Sequence, residues 1–457
     1  MYDIRGLVGS EITPENVKAI GAAFVDELGL AGKSVVVGHD MRDSSPMFVE
    51  AFIDGATSRG ADAINLGLCS TDECYFASGH LDAASAMFTA SHNPATYNGI
   101  KLSRASARGI SMDTGLAKIL ERAEKYLETG VAEVLEVGFS SEHDTLVEYA
   151  SYLRELVDLS NIRPLKIVID AANGMGGLTA PAVFGTAANL PKLPIEIIPM
   201  YFELDGSFPN HEANPLDPKN LVDLQRAVLA HGADAGLAFD GDADRCFVID
   251  EKGQPVTPSA VAAIVSLSEI ARAKSRGDNE ITVLHNLLTS RAVAEFIEAA
   301  GAKAVRTRVG HSLIKDDMAR TGAIFGGEHS AHYYFKDFFG ADNGMLAAMN
   351  VLLELGSQAK PLSEFAARFN PYFASGEINS KVLDAGAKID LIKSEFSDSP
   401  VDELDGITIS SSPGESPWWW LNVRSSNTEP LLRLNVESSD PATTKSLTDR
   451  VLGIIQN

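Results

Sequence analysis

Short β-branched apolar runs alternate with amphipathic stretches along most of the chain. Residues 34–37, 166–170, 235–239 and 281–285 read as strands, and 14–28, 46–58, 218–230, 259–273 and 290–300 read as helices. Alternation of this kind predicts parallel sheets covered by helices. Three of the helical stretches place proline at or near the first turn, where its missing N–H costs no hydrogen bond. The βα pattern restarts near Lys166 and again near Ile281, which predicts two or three similar α/β units in tandem, although no sequence repeat is evident. Residues 145–159 read as a helix leading from the first unit to the second. After about residue 360 the texture changes: 376–382, 407–411, 418–423 and 431–436 look like strands of a mixed or antiparallel sheet closed by a C-terminal helix, a smaller α+β domain.

A chain of 457 residues is too long for one hydrophobic core, so several domains and a site between them are expected. No apolar run approaches the roughly 18 residues that span a bilayer, and the opening Met1-Tyr2-Asp3-Ile4-Arg5-Gly6 lacks the basic start and apolar stretch of a secretory signal. The expectation is a cytoplasmic protein. Cys69, Cys74 and Cys246 match neither a zinc site nor a disulfide framework and read as reduced, mostly buried thiols. The formal net charge of -24 argues against nucleic acid and anionic membrane partners. A phosphorylated ligand stays possible if the scarce cations gather in one cleft.

Four stretches, and a fifth loop beside them, carry candidate chemistry. Thr89-Ala90-Ser91-His92-Asn93-Pro94, followed by Tyr97-Asn98-Gly99-Ile100-Lys101, comes after the apolar strand 84–88, so Ser91 should lie at the C-terminal end of a strand, where open α/β sheets place ligands. A serine hydroxyl is a weak nucleophile unless a base, metal or cation acts on it, and Lys101 is near enough to serve as base or cation. A plain turn is the competing reading. Asp240-Gly241-Asp242-Ala243-Asp244-Arg245 offers carboxylates at alternate positions with small spacers, able to converge on a hard cation such as Mg²⁺. An EF-hand is excluded because an apolar strand intervenes before Glu251; a solvated acidic turn is the remaining alternative.

In Gly326-Gly327-Glu328-His329-Ser330-Ala331-His332, Glu328 and Ser330 can point the same way toward sugar hydroxyls while His332 carries a proton near neutrality, or the cluster is structural. Arg424-Ser425-Ser426-Asn427-Thr428-Glu429-Pro430 has the inventory of a phosphate cradle, or of a capped turn after Trp418-Trp419-Trp420. Gly310-His311-Ser312-Leu313-Ile314-Lys315 reads as a loop opening a helix, favourable to an anion. Arg5, Lys101, Arg245, His311, Lys315 and Arg424 all fall in or beside these loops.

Together these stretches, from Tyr2 to about Ser438, resemble the α-D-phosphohexomutase family in its phosphomannomutase/phosphoglucomutase branch. The resemblance implies three tandem related α/β domains with mixed sheets plus a C-terminal α+β domain around a central cleft. We set these at 1–148 (phosphoserine loop), 149–250 (metal loop), 251–365 (sugar recognition) and 366–457 (phosphate binding). It implies Ser91 as the phosphoserine and a metal ligand beside Asp240, Asp242 and Asp244. Arg5, Lys101, Arg245 and His332 match residues that assist proton transfer or stabilise charge. Glu328, Ser330 and His311 match sugar-binding positions, and Arg424, Ser426, Asn427 and Thr428 match the loop that grips the phosphate not being transferred.

The implied reaction interconverts hexose 1-phosphate and hexose 6-phosphate through a phosphoserine and a hexose 1,6-bisphosphate, with Mg²⁺ as cofactor and the bisphosphate as activator, in a monomer or homodimer. Asn427 and the Gly310-His311-Ser312 signature point to mannose phosphate, with glucose phosphate accepted. A phosphoglucosamine mutase, a Mg²⁺-dependent sugar phosphatase and a catalytically silent sugar-phosphate sensor are the alternatives. Three departures from the family pattern stand out. Ala243 occupies the usual central glycine of the metal loop. Leu288 lies where the stretch 286–290 commonly has a basic residue, and the opening strand is short.

Overall fold

The structure, a computed structural model, describes residues 3–132, 134–425 and 431–456, with the side chains of 311 and 312 left aside. Each restart of the βα pattern opens a separate sheet. In the first, the strand order is Ile4–Leu7, Tyr97–Arg104, Ala84–Phe88, Ser34–His39, Asp62–Leu68 and Ser140–Glu142. Ser34–His39 runs parallel to both of its neighbours, and Val35, Val36 and Val37 are fully buried between helix layers, as a central parallel strand requires. Pro14–Leu28 and Ser45–Ser58 cover one face. The first begins at a capping box in which Thr13 and Asn16 satisfy each other's backbone N–H groups.

The second sheet runs Pro255–Val256, Cys246–Asp250, Ala235–Phe239, Leu165–Asp170, Ile195–Met200, and the third runs Lys303–Thr307, Thr282–Asn286, Phe325–Gly327, Tyr333–Phe335, Ala341–Asp342. All three sheets share one plan that the residues did not reveal. A strand parallel to its inner neighbour turns back as an antiparallel partner: Ala84–Phe88 with Tyr97–Arg104, Ala235–Phe239 with Cys246–Asp250, and Phe325–Gly327 with Tyr333–Phe335. The three connecting loops carry Ser91, the aspartate triplet and Glu328. The sheets are thus mixed, and the chemistry sits at one repeated place in the plan.

The helix expected over 145–159 forms as Leu146–Leu156. One expectation is corrected: 218–230 is a 3₁₀ turn, Pro218–Leu221, followed by the α-helix Val222–His231, because the Asp217 side chain caps Lys219 N–H within a tight first turn. A continuous apolar core joins the linker helix with the second and third units, whereas the first unit and the C-terminal unit each have their own. The C-terminal sheet is antiparallel, with Leu431–Ser438 and Trp419–Ser425 at its centre, and Ala385–Glu395 and Pro441–Gln456 packed against it. Cys69, Cys74 and Cys246 are unpaired and buried. Among the described residues no helix is long and apolar enough to cross a membrane.

Candidate active site

Ser91 is buried at the turn after Ala84–Phe88, with a left-handed φ of +49°. Few side chains adopt that conformation without support from their surroundings. The support here is Arg42, 2% exposed, whose guanidinium donates to the carbonyls of Ser91 (2.9 Å), Asn93 (2.7 Å), Pro94 (2.9 Å) and Tyr97 (3.0 Å). Its Nε pairs with Asp40 at 3.1 Å. Thr89 Oγ1 accepts from Ser91 N–H at 2.9 Å, and Arg5 anchors the outer side of the loop through Asn93 Oδ1 at 2.7 Å. The Ser91 hydroxyl is thereby aimed at the metal loop and donates to Asp240 Oδ2 at 2.9 Å. Arg245 Nη2 lies 3.4 Å from Ser91 Oγ.

The two loops approach this closely because Gly241 has no side chain: a Cβ there would stand 2.4 Å from the Ser91 carbonyl oxygen. Asp240, Asp242 and Asp244 are all buried, and one carboxylate oxygen from each lies within 4.8 Å of the others. Arg245 holds Asp240 through Nε (2.9 Å) and Nη2 (2.7 Å). Lys101 Nζ bridges Asp242 Oδ2 (2.7 Å) and Asp244 Oδ2 (2.6 Å). The remaining oxygens, Asp242 Oδ1 and Asp244 Oδ1, are buried with no hydrogen-bond partner among the described residues. Hard oxygen donors left unsatisfied in this way fit a divalent cation of the Mg²⁺ class.

Charge is distributed unevenly in the triplet. Burial works against ionisation of Asp242, but Lys101 and the Thr71 hydroxyl hold its carboxyl far below the usual range. Asp244, buried beside Asp242, is pushed up to about 7. Burial also opposes the charge on Lys101, yet Asp242 and Asp244 raise its affinity for the proton well above normal, so it is an ammonium at neutral pH. His92, 2.7 Å from Arg245 Nη2, is pushed down to about 2 by burial and by the charges of Arg245 and Arg5, so it is a neutral imidazole that accepts from Arg245.

The loop of the third unit meets this cluster from the other side. His332 lies 4.0 Å from Asp244 and 3.0 Å from the Ser330 hydroxyl. Glu328 is nearly enclosed and accepts from Tyr334 (2.8 Å), Asn286 (3.3 Å) and Gly310 N–H (3.2 Å), so its carboxylate is clamped. Lys315 pairs with Asp342 at 2.7 Å and lies over the Tyr75 ring. His311 opens the helix His311–Thr321. Arg424 is at the end of Trp419–Ser425 and pairs with Glu377 at 2.9 Å. Ser426, Asn427 and Thr428 lie outside the described residues.

The sequence reading missed two residues that set this geometry. Arg42 organises the serine loop through carbonyls, and Thr71, at the start of the helix Thr71–His80, donates from its hydroxyl to Asp242 Oδ2 at 2.6 Å and from its N–H to the Asp242 carbonyl at 3.1 Å. No sequence signal marks either residue: Asp40-Met41-Arg42-Asp43 and Thr71-Asp72-Glu73 read as ordinary polar stretches.

Models of the phosphoglucomutase/phosphomannomutase family match the whole architecture: α/β/α domain I over residues 1–129, domain II over 147–253, domain III over 258–372 and the C-terminal domain over 377–454. A protein of Xanthomonas campestris pv. campestris described as phosphohexose mutases is 39% identical over all of this chain and 98% of its own. The phosphomannomutase of Escherichia coli strain K12 is 38% identical over 96% of this chain and 94% of its own. Among solved structures, a phosphoglucomutase/phosphomannomutase family protein from Burkholderia thailandensis superposes with a TM-score of 0.85 at 29% identity, covering all of this chain and 96% of that one.

Proposed function

The chain belongs to the phosphoglucomutase/phosphomannomutase family and is a hexose phosphate mutase; on that premise we propose that Ser91 carries the phosphoryl group exchanged between the 1- and 6-hydroxyls of a hexose. The observation that carries the reading is the Ser91 hydroxyl held 2.9 Å from Asp240, with Arg245 beside it and two unsatisfied aspartate oxygens next to it. Asp240, Asp242 and Asp244 would hold Mg²⁺, which when bound neutralises charge on the phosphoryl oxygens.

In the forward half-reaction the free sugar hydroxyl attacks the phosphorus of phosphorylated Ser91. The new P–O bond to the sugar forms as the bond to Ser91 Oγ breaks; the hydroxyl proton passes to His332 and Ser91 Oγ leaves as an oxyanion beside Arg245 Nη2. In the return half-reaction that oxygen attacks while the departing sugar oxygen takes the proton back from His332. The hexose 1,6-bisphosphate then turns over in the cleft and returns its other phosphoryl group to Ser91. Phosphoryl transfer of this kind needs positioning and charge neutralisation more than covalent help. Arg245 and ammonium Lys101 supply the charge, and Arg42 and Arg5 keep the serine loop fixed. Arg424 with Ser426, Asn427 and Thr428 would grip the idle phosphate. Glu328, Ser330 and His311 would orient the sugar. The preferred substrate is mannose phosphate, with glucose phosphate accepted and a catalytic amount of hexose 1,6-bisphosphate required for priming.

The test is a coupled assay of mannose 1-phosphate and glucose 1-phosphate conversion with Mg²⁺ and hexose 1,6-bisphosphate. Ser91→Ala should lose at least about a thousandfold in kcat, the scale of removing a nucleophile. A variant within tenfold of wild type, or phosphate release in place of isomerisation by wild type, would remove Ser91 from this role.

A further inference from the structure

Arg424 and Arg433 are register partners on the two central strands of the C-terminal sheet. Two like charges directly opposite each other repel. Between them lies Glu377, just before the strand Ile378–Lys381. Arg424 Nη2 donates to its Oε2 at 2.9 Å and Arg433 Nη1 to its Oε1 at 3.2 Å. The Arg424 Nε–H is buried with no acceptor among the described residues. The Glu377 charge also reaches His329, in the loop with Glu328 and Ser330, so this carboxylate stands at the seam between the third and fourth units.

A carboxylate that gives one oxygen to each of two guanidiniums occupies the position a phosphate monoester takes in such a fork. We propose that Glu377 is an internal substitute for the substrate phosphate. It keeps Arg424 and Arg433 paired and aimed in the empty enzyme and yields them when the non-transferred phosphate of the hexose binds. This rests on reading the segment around Arg424 as the phosphate cradle. The exchange weakens binding, because an incoming phosphate must displace an ion pair, but it eases departure, because the arginines never stand unpaired. An intermediate that must leave the cradle, turn over and return benefits from that exchange. The same carboxylate discourages free inorganic phosphate from occupying the cradle.

Titration calorimetry with inorganic phosphate and with glucose 6-phosphate, together with steady-state kinetics, tests the idea in wild type, Glu377→Gln, Glu377→Asp and Arg424→Ala. Glu377→Gln should bind phosphate about three- to tenfold more tightly, lower KM by a similar factor and also lower kcat, as release slows. Glu377→Asp, which keeps the carboxylate, should return toward wild type, and melting curves confirm that each variant is folded. Should Glu377→Gln leave phosphate affinity unchanged or weaken it while Arg424→Ala weakens it, the cradle stands and the substitution idea fails; a KM that rises as kcat falls has the same meaning. If Arg424→Ala leaves phosphate binding untouched, the cradle reading fails and takes this proposal with it.

Discussion

Asp242 and Asp72 are both fully buried and are linked through Thr71, whose hydroxyl binds Asp242 while the next residue in the chain is Asp72. Their surroundings differ in one respect. Asp242 has the Lys101 ammonium at 2.7 Å and is held ionised. Asp72 has only neutral donors: Ser70, Tyr149 at 2.6 Å and the Glu73 N–H at 3.0 Å. Glu73 beside it accepts from Thr145 at 3.1 Å, and its Oε2 has no partner among the described residues. Burial pushes Asp72 up to about 7 and Glu73 up to about 8. An enclosed carboxyl keeps its charge only where its partners outweigh burial: Asp242 has both Lys101 and Thr71, whereas Asp244, which shares Lys101 but stands beside Asp242, is still pushed up to about 7. Lys101 thus serves the aspartate triplet, while at the junction with the linker helix burial favours the protonated forms of Asp72 and Glu73.

The largest test of this contrast is Lys101→Met, which gives the metal loop the environment of the Asp72 pair. Two carboxylates would lose their shared cation in the interior, a change that costs about 3–5 kcal/mol when a buried pair is broken. Urea unfolding should show that loss without Mg²⁺ and a partial recovery with it, larger than any Mg²⁺ effect on wild type. A variant within about 1 kcal/mol of wild type in the absence of Mg²⁺ would mean that Lys101 is not what holds Asp242 ionised.

Glu73→Gln probes the other side. An acid whose folded pKa is raised binds more protons folded than unfolded, so its contribution is complete below the unfolded value of 4.5 and is lost as pH rises toward about 8. An amide cannot ionise and escapes that loss. The variant should match wild type near pH 5 and exceed it by on the order of 2–4 kcal/mol at pH 8, read from denaturation curves at the two pH values. Equal differences at both would show that Glu73 does not titrate in this range.

The same contrast explains what was legible in the sequence. Residues 84–88 and 235–239 form the strands expected because continuous apolar runs between loop residues have few other solutions. The convergence of Asp240, Asp242 and Asp244 was readable because carboxylates at alternate positions on small spacers stand out in the sequence. Asp72 and Glu73 were not, since two acids at the start of a helix look like ordinary favourable charges at an N-terminus; their enclosure comes from Tyr149 and Asn343, contributed by distant segments. Arg42 was invisible for a similar reason: it binds carbonyls, which every residue has. The repeated hairpin plan of the three sheets is a pattern of strand direction, which side-chain periodicity does not encode.

The smallest expected effect concerns Ala243, between Asp242 and Asp244. Its φ is +64°, in the left-handed region, and its methyl is fully buried in the core shared by the second and third units. Replacing it with glycine relieves about 1–2 kcal/mol of backbone strain. The change also forfeits about 0.8 kcal/mol of methyl burial and roughly 0.5–1 kcal/mol through the greater freedom of the unfolded chain. The terms nearly cancel, so Ala243→Gly should lie within about 0.5 kcal/mol of wild type. Mg²⁺ affinity should change by less than about threefold, because Lys101 and Arg245, not residue 243, hold the aspartates in place. Stabilisation beyond about 1.5 kcal/mol would show that the methyl contributes no packing, whereas an equal loss would show that the loop closes on it as part of the core.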